Sequence, residues 1–249
     1  MANTDGNGYT IGFATVMVLV VGGLLAALAT GLKPAIKENE RYEKQQNILY
    51  AMGVNENLDE NGEDKGGINP IPTDKVEAEY TKYIKETYII QGGKITQSDE
   101  AFAVDMKKQS KLSKSERKMP LYVGEREGKK FYVIPTYGKG LWDAIWGYVA
   151  LDNQLVVQGA TFDHKGETPG LGANIKERYF MDDFIGEHIM NNGKFAGITV
   201  AKGNNDPVNN TKDDNEVDAL AGATITGDGV TAMIKGTLKS YIPHIQNLK

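Results

Sequence analysis

Near the C-terminus, Asp218-Ala219-Leu220-Ala221-Gly222-Ala223-Thr224-Ile225-Thr226 sets two hydroxyls among small side chains, directly ahead of a helical pattern. Gly222 and Ala223 keep the backbone bare beside Thr224, so a bulky phosphorylated group meets little steric resistance there. Val230, Met233, Ile234, Leu238, Tyr241 and Ile242 then recur with a helical period, and Thr226 or Asp228 is the predicted cap. A phosphate held near such a helix start meets free backbone N–H groups and the positive end of the helix dipole. On these residues alone the stretch is open to two readings, an ordinary turn or an anion site.

Two further Gly-rich segments carry side chains suited to a ligand. Gly138-Lys139-Gly140-Leu141-Trp142-Asp143-Ala144-Ile145-Trp146-Gly147-Tyr148 holds both tryptophans of the chain. Four positions apart, Trp142 and Trp146 could share one helical face, either as core or against a flat ligand. In His164-Lys165-Gly166-Glu167-Thr168-Pro169-Gly170-Leu171-Gly172-Ala173, Pro169-Gly170 favours a tight turn that leaves Leu171 projecting between glycines. A lone leucine on bare backbone suits contact with a planar ring, with neighbouring N–H groups free for ring carbonyls. His164, His188 and His244 show no metal-ligand spacing, and no metal is expected.

Composition removes several classes. The net charge is −5 and no basic stripe interleaved with aromatics occurs, which argues against nucleic-acid binding. With no cysteine, disulfides, thiolate-held iron–sulfur clusters and thioether-linked cofactors are excluded, so a redox cofactor must be held some other way. Neither phosphate-loop nor dinucleotide-binding glycine fingerprints are present.

The elements that must position these residues follow in order. Residues 6–32 contain no charge, and Ile11–Ala29 spans roughly 30 Å as a helix, enough to cross a bilayer. Met1–Tyr9 lacks Lys and Arg, which favours a retained anchor over a cleaved signal peptide. Lys33, Lys37, Arg41 and Lys44 follow the span and by charge alone would hold the large domain in the cytoplasm. The expected division is a tail (1–9), a transmembrane helix (10–32), a juxtamembrane helix (33–53), a helical and loop region (54–118) and a domain core (119–249). Asp74-x-x-Glu77 predicts a capping box for a helix carrying Val76, Tyr80, Tyr83, Ile84 and Tyr88. Lys107–Lys118 carries six basic residues in twelve, an exposed loop or a surface for anionic lipid headgroups. Leu121–Val123 with Phe131–Ile134, and Gly147–Leu151 with Leu155–Phe162, read as hairpins, the second turning at Asp152-Asn153. The fold class is α+β, with an antiparallel or mixed sheet and flanking helices.

Taken in order, the uncharged span ending Leu32-Lys33-Pro34, Tyr132-Val133-Ile134-Pro135 leading into Gly-Lys-Gly-Leu-Trp, Gly-Glu-Thr-Pro-Gly-Leu-Gly, and Asp218–Thr226 resemble the C-subunit family of sodium-translocating NADH:quinone oxidoreductases. That family shares an FMN-binding domain with the G subunit of the Rnf complex. Asp218-x-x-x-Gly222-Ala223-Thr224 resembles the family's flavinylation motif, Asp-x-x-(Ser/Thr)-Gly-Ala-Thr, and departs from it at Ala221. The resemblance implies an extracytoplasmic electron-relay domain on a single-pass helix in the bacterial inner membrane. FMN would be attached covalently to Thr224 through a phosphoester by a separate flavin transferase that reads Asp218, Gly222, Ala223 and Thr224. Thr168, Gly170, Leu171, Gly172, Gly222, Ala223, Leu141 and Trp142 would bind the cofactor, with Lys139 as an electrostatic neighbour. NADH and quinone sites are expected in other subunits. The alternatives are an Rnf-type G subunit, a cofactor-free membrane-anchored binding module and a freely secreted flavoprotein.

Overall fold

The computed structural model describes residues 6–203, 206 and 209–248; residues 1–5 of the expected N-terminal tail lie outside the described residues. The chain divides into two compact units, Met1–Lys44 and Gln45–Lys249. Helix α1 (Asn7–Ala51) supplies the described part of the first unit and the opening residues of the second. It passes through Pro34 without ending there, although proline supplies no N–H to the carbonyl four residues back. Its uncharged segment exposes nearly every large apolar side chain, Val18, Leu19 and Leu25 among them. Among the described residues it is the one helix long and apolar enough to cross a membrane.

The second unit is built on a six-stranded sheet, β1 (Ile84–Gln91), β2 (Lys94–Gln97), β3 (Met119–Arg126), β4 (Lys129–Lys139), β5 (Ala144–Leu151) and β6 (Val157–His164), in the order β2-β1-β3-β4-β5-β6. Every pairing is antiparallel. Both predicted hairpins form. The first runs further than expected, pairing on to Arg126↔Lys129 around a turn with Glu127 and Gly128 at positive φ.

Alternation sorts the sheet into two faces. Val123, Tyr132, Ile134, Val149, Ala160 and Phe162 lie on one face and pack into a core with the C-terminal helix, which is labelled α5 below. Gly124 and Gly159 lie on the other, where the end of α1 presses in. A side chain at Gly124 would meet the Met52 thioether and one at Gly159 the Ala51 carbonyl. Ile48, Leu49 and Met52 are buried there or close by in the chain.

Three local expectations are corrected. Helix α2 (Val76–Tyr83) is only eight residues long, and the chain turns into β1 at Ile84. Ile84 and Tyr88 therefore belong to the sheet, where β1 pairs with β3. The predicted Asp74–Glu77 capping box does not form, because Lys75 holds the N-cap position and gives no side-chain cap. The tryptophans do not share a helix either: Trp142 lies in the β4–β5 turn, while Trp146 is a strand residue paired with Tyr137 and Asp163. The glycines disfavour a helix, and the β-branched and aromatic residues around them pack well on a sheet.

Short elements complete the unit: α3 (Met106–Gln109), a 3-10 turn (Gly172–Lys176), α4 (Arg178–Asp182), hairpin β7 (Met190–Asn191) with β8 (Lys194–Phe195), and the parallel pair β9 (Thr199–Val200) with β10 (Glu216–Val217). Helix α5 (Thr224–Ile245) then lies across β4, and the buried Tyr241 hydroxyl donates to the Pro120 carbonyl at 3.0 Å.

Candidate functional site

Helix α5 begins at Thr224, two to four residues before the predicted caps, with Ala223 in the N-cap position. Ala223 offers no side-chain acceptor, so the first-turn N–H groups of Thr224, Ile225 and Thr226 precede the first intrahelical bond, from Gly227 N to Ala223 O. At about 100° per residue, Thr224 and Thr226 point to opposite sides of the helix. Thr224 is exposed and Thr226 is buried. Gly222 precedes them at φ +68°, a left-handed conformation that glycine adopts without strain.

Glu167 holds the site together. Its carboxylate is buried; Oε2 accepts from Thr226 Oγ1 at 2.6 Å and Oε1 from the Trp142 N–H at 2.9 Å. One carboxylate thus ties the β6–α4 loop to the β4–β5 turn and to α5. Gly140 and Gly172 flank it, and a Cβ at either would fall within 2.5 or 2.6 Å of a Glu167 oxygen. Gly229 lets α5 approach the same turn, since a Cβ there would lie 2.5 Å from the Lys139 carbonyl. Burial works against ionisation of Glu167. Hydrogen bonds from the Thr226 hydroxyl and from the N–H groups of Trp142, Leu141 and Asp143 outweigh it and hold the carboxyl below the usual carboxylate range.

Around this anchor the loop takes a definite shape. The Thr168 carbonyl accepts from the N–H groups of Leu171 and Ala173, with Gly170 at φ +75°. Thr168 Oγ1 accepts from Trp142 Nε1 at 3.2 Å. The Leu171 side chain leans over Gly222, with Cδ2 2.8 Å from where a Cβ would stand. His164 Nδ1 accepts from the Glu167 N–H, so this histidine braces the loop. Half-exposed Asp143 pairs with Lys165 at 2.7 Å beside it.

The fold therefore gathers Leu141, Trp142, Thr168, Gly170, Leu171, Gly172, Gly222, Ala223 and Thr224 at one edge of the domain. Leu141, Trp142, Leu171 and Ile225 leave 41–67% of their surface exposed there, beside the Thr224 hydroxyl. An exposed apolar patch next to a hydroxyl at a helix start fits a flat apolar ring carrying a phosphate.

Two predicted residues lie apart from this edge. Lys139 touches α5 through its backbone and lines a separate groove along that helix. Asp218 lines a small cavity of about 40 Å³ with Asp206, Asp214 and Glu216, and its N–H donates to Asp183 Oδ2. Burial, followed by repulsion from Asp183 and Asp206, pushes the Asp218 carboxyl up. Glu167 was not among the residues expected to form the site. An acidic residue in a Gly-Pro loop reads as solvated, and only the glycines around it hinted at close approach.

The FMN-binding domain family matches residues 140–239, from the β4–β5 turn into α5. The C subunit of Na(+)-translocating NADH-quinone reductase from Pseudomonas aeruginosa is 29% identical over 252 residues, covering 94% of this chain and 92% of that protein. The crystal structure of the C subunit from Parabacteroides distasonis superposes with a TM-score of 0.70 at 31% identity, covering 86% of this chain and 96% of that one. A Shewanella oneidensis NqrC structure at 22% identity shares the fold, with a TM-score of 0.65 over 84% of this chain and 99% of that chain. An α+β sheet domain of this shape, preceded by an apolar helix and matched along nearly its whole length, identifies the chain as a member of the C-subunit family of Na(+)-translocating NADH-quinone reductases.

Proposed function

We propose that this chain is the flavinylated electron-relay subunit of such a complex, with FMN joined to the Thr224 hydroxyl through a phosphoester. The observation that carries the reading is the exposed Thr224 at the bare start of α5, beside the apolar patch of Leu141, Trp142 and Leu171. The first-turn N–H groups would face the phosphate. Thr168, Gly170, Gly172, Gly222 and Ala223 would line the cofactor, and Leu171 and Trp142 would cover apolar ring surface. When bound, the flavin supplies one- and two-electron chemistry, while the protein orients it and sets its surroundings. Glu167 contributes a fixed negative charge beneath the loop and no proton at neutral pH, because its donors keep it ionised.

A covalent tether holds the cofactor at a fixed distance from redox centres in neighbouring subunits. NADH oxidation and quinone reduction then belong to those subunits. Sodium does not pass through a single helix whose span carries no ionisable side chain. A separate transferase installs the flavin and reads Asp218 along with Gly222, Ala223 and Thr224. In this reading residues 10–32 span the membrane once, 33–53 form the juxtamembrane segment and 119–249 the flavin-bearing core on the extracytoplasmic side. This placement follows the family rather than the Lys and Arg that trail the span.

The test is denaturing electrophoresis of protein made with its transferase. The native chain keeps a yellow fluorescent band with the mass of one added FMN, and Thr224→Ala loses both. Fluorescence that survives in that variant rules out the acceptor.

A further inference from the structure

The basic stretch Lys107–Lys118 has no part in the flavin reading, yet it walls a groove of the domain. This cavity, of about 560 Å³, lies between α3 with its following loop, the ends of β3 and β4, and the outer face of α5. Its floor is Gly229, Ala232, Gly236 and Ser240, one face of α5 stripped to small side chains. From Gly229 to Ser240 that floor runs about 17 Å at the helical rise. Met106, Met119 and Met233 line the sides with adaptable thioethers.

Charge gives the groove its polarity. Lys114, Arg117, Lys118 and Lys139 all line it, and among the described residues no carboxylate does, in a chain with net charge −5. Arg117 donates to the Ser110 and Leu112 carbonyls and so fixes the loop, while Lys118 lies 3.8 Å from Glu100 beyond the rim. At the tip of the same loop Leu112 is exposed among Lys107, Lys108, Lys111 and Lys114. A narrow apolar trough rimmed by cations, beside a basic loop with an outward leucine, has the chemistry of an interfacial lipid contact.

We infer that this groove binds an anionic phospholipid, with one acyl chain along the α5 floor and the phosphate among Lys114, Arg117 and Lys139. The chain's own apolar span, read as a membrane anchor, ties the domain to a bilayer, which favours a membrane lipid as the occupant. The inference is independent of the flavin assignment, because the groove shares only Lys139 with the residues expected there.

The test uses the full chain in neutral detergent, with bound lipid counted by native mass spectrometry after addition of phosphatidylglycerol or phosphatidylcholine. One phosphatidylglycerol is expected to be retained about fivefold to tenfold more strongly, the size expected of about one net lysine contact. Two variants separate its parts. Lys114→Glu weakens the anionic preference, and Gly236→Leu fills the floor at a position with open space around it. Leucine also favours the helix over glycine, so this second variant keeps the fold, as circular dichroism checks. Both variants are expected to bring phosphatidylglycerol down to the phosphatidylcholine level. Equal retention of the two lipids overturns the inference, as does an anionic preference untouched by Gly236→Leu. Displacement by millimolar inorganic phosphate alone, or by a poly-glutamate peptide, with no effect of Gly236→Leu, assigns the groove to free phosphate or to an acidic protein surface and likewise overturns it.

Discussion

Glu167 and Glu187 are both buried in the same domain, at 4% and 0% exposure, and they hold their protons in opposite ways. Glu167 receives hydrogen bonds at both oxygens and stays below the usual carboxylate range. Burial pushes Glu187 up to about 7; an Asn209 hydrogen bond and Lys212, 3.7 Å away, offset this only in part, and Asp214 and Asp183 oppose ionisation further. Its Oε2 has no hydrogen-bond partner among the described residues. The donors aimed at a buried carboxylate, set against the cost of its burial, decide whether it is an anchor or a liability. The anchor sits under the candidate cofactor edge, and the liability under the acidic cluster that includes Asp218.

The sharpest way to break this contrast is Glu167→Ala. It strands the Trp142 N–H and the Thr226 hydroxyl and empties the space between Gly140 and Gly172, so a loss of about 3 kcal/mol is expected in urea unfolding of the domain. Under the proposed function, flavin loading should fall with it. An unchanged midpoint would show that the three segments hold together without the carboxylate.

Glu187 is expected to act through pH. Its folded value lies above the ordinary 4.5, so its stabilising contribution is complete below pH 4.5 and declines as pH rises towards 7. The decline amounts to about 2–3 kcal/mol, and Glu187→Gln should flatten it between pH 5 and 8. Glu167 has the opposite slope: its contribution is present above the ordinary carboxylate value and lost as pH falls through its lowered one. Denaturant midpoints across pH 3–8 for the two Gln variants would sharpen or dissolve the comparison.

Gly172→Ala tests the cradle rather than the charge. Its Cβ would press on Thr226 Oγ1 and stand 2.6 Å from Glu167 Oε2. Backbone must move, at about 1–2 kcal/mol measured by thermal unfolding. The smallest effect belongs to Thr168→Val, which removes the acceptor of the exposed Trp142 indole; a change of about 0.5 kcal/mol or less is expected. A shift in tryptophan emission without a shift in Tm would confirm that this bond orients the ring more than it stabilises the domain.

Where the sequence reading worked, the signal was local and periodic. The apolar stripe from Val230 to Ile242 forms the buried face of α5, and the Asp152-Asn153 turn closes β5 onto β6. Where it failed, two periods competed. Trp142 and Trp146 fit a helical spacing, yet Gly138 and Gly147 oppose Ile145 and Phe162 in a ladder of strands. Tyr88 likewise continues the stripe of α2 on paper and pairs in β1 in space. Long-range pairing energy, invisible to a local window, overrides propensity at such places.

By itself the sequence determined the membrane-length span, the α+β class and the three Gly-rich segments that carry the candidate site, because hydrophobic runs, turn chemistry and small residues act over a few neighbours. The tertiary structure alone decided that Glu167 lies buried between Gly140 and Gly172, that Thr226 turns inward while Thr224 faces out, and that Lys139 and Asp218 stand away from that edge. Those outcomes depend on which distant backbone donors meet which side chain, and that is settled only when the β4–β5 turn, the Glu167 loop and the start of α5 pack together.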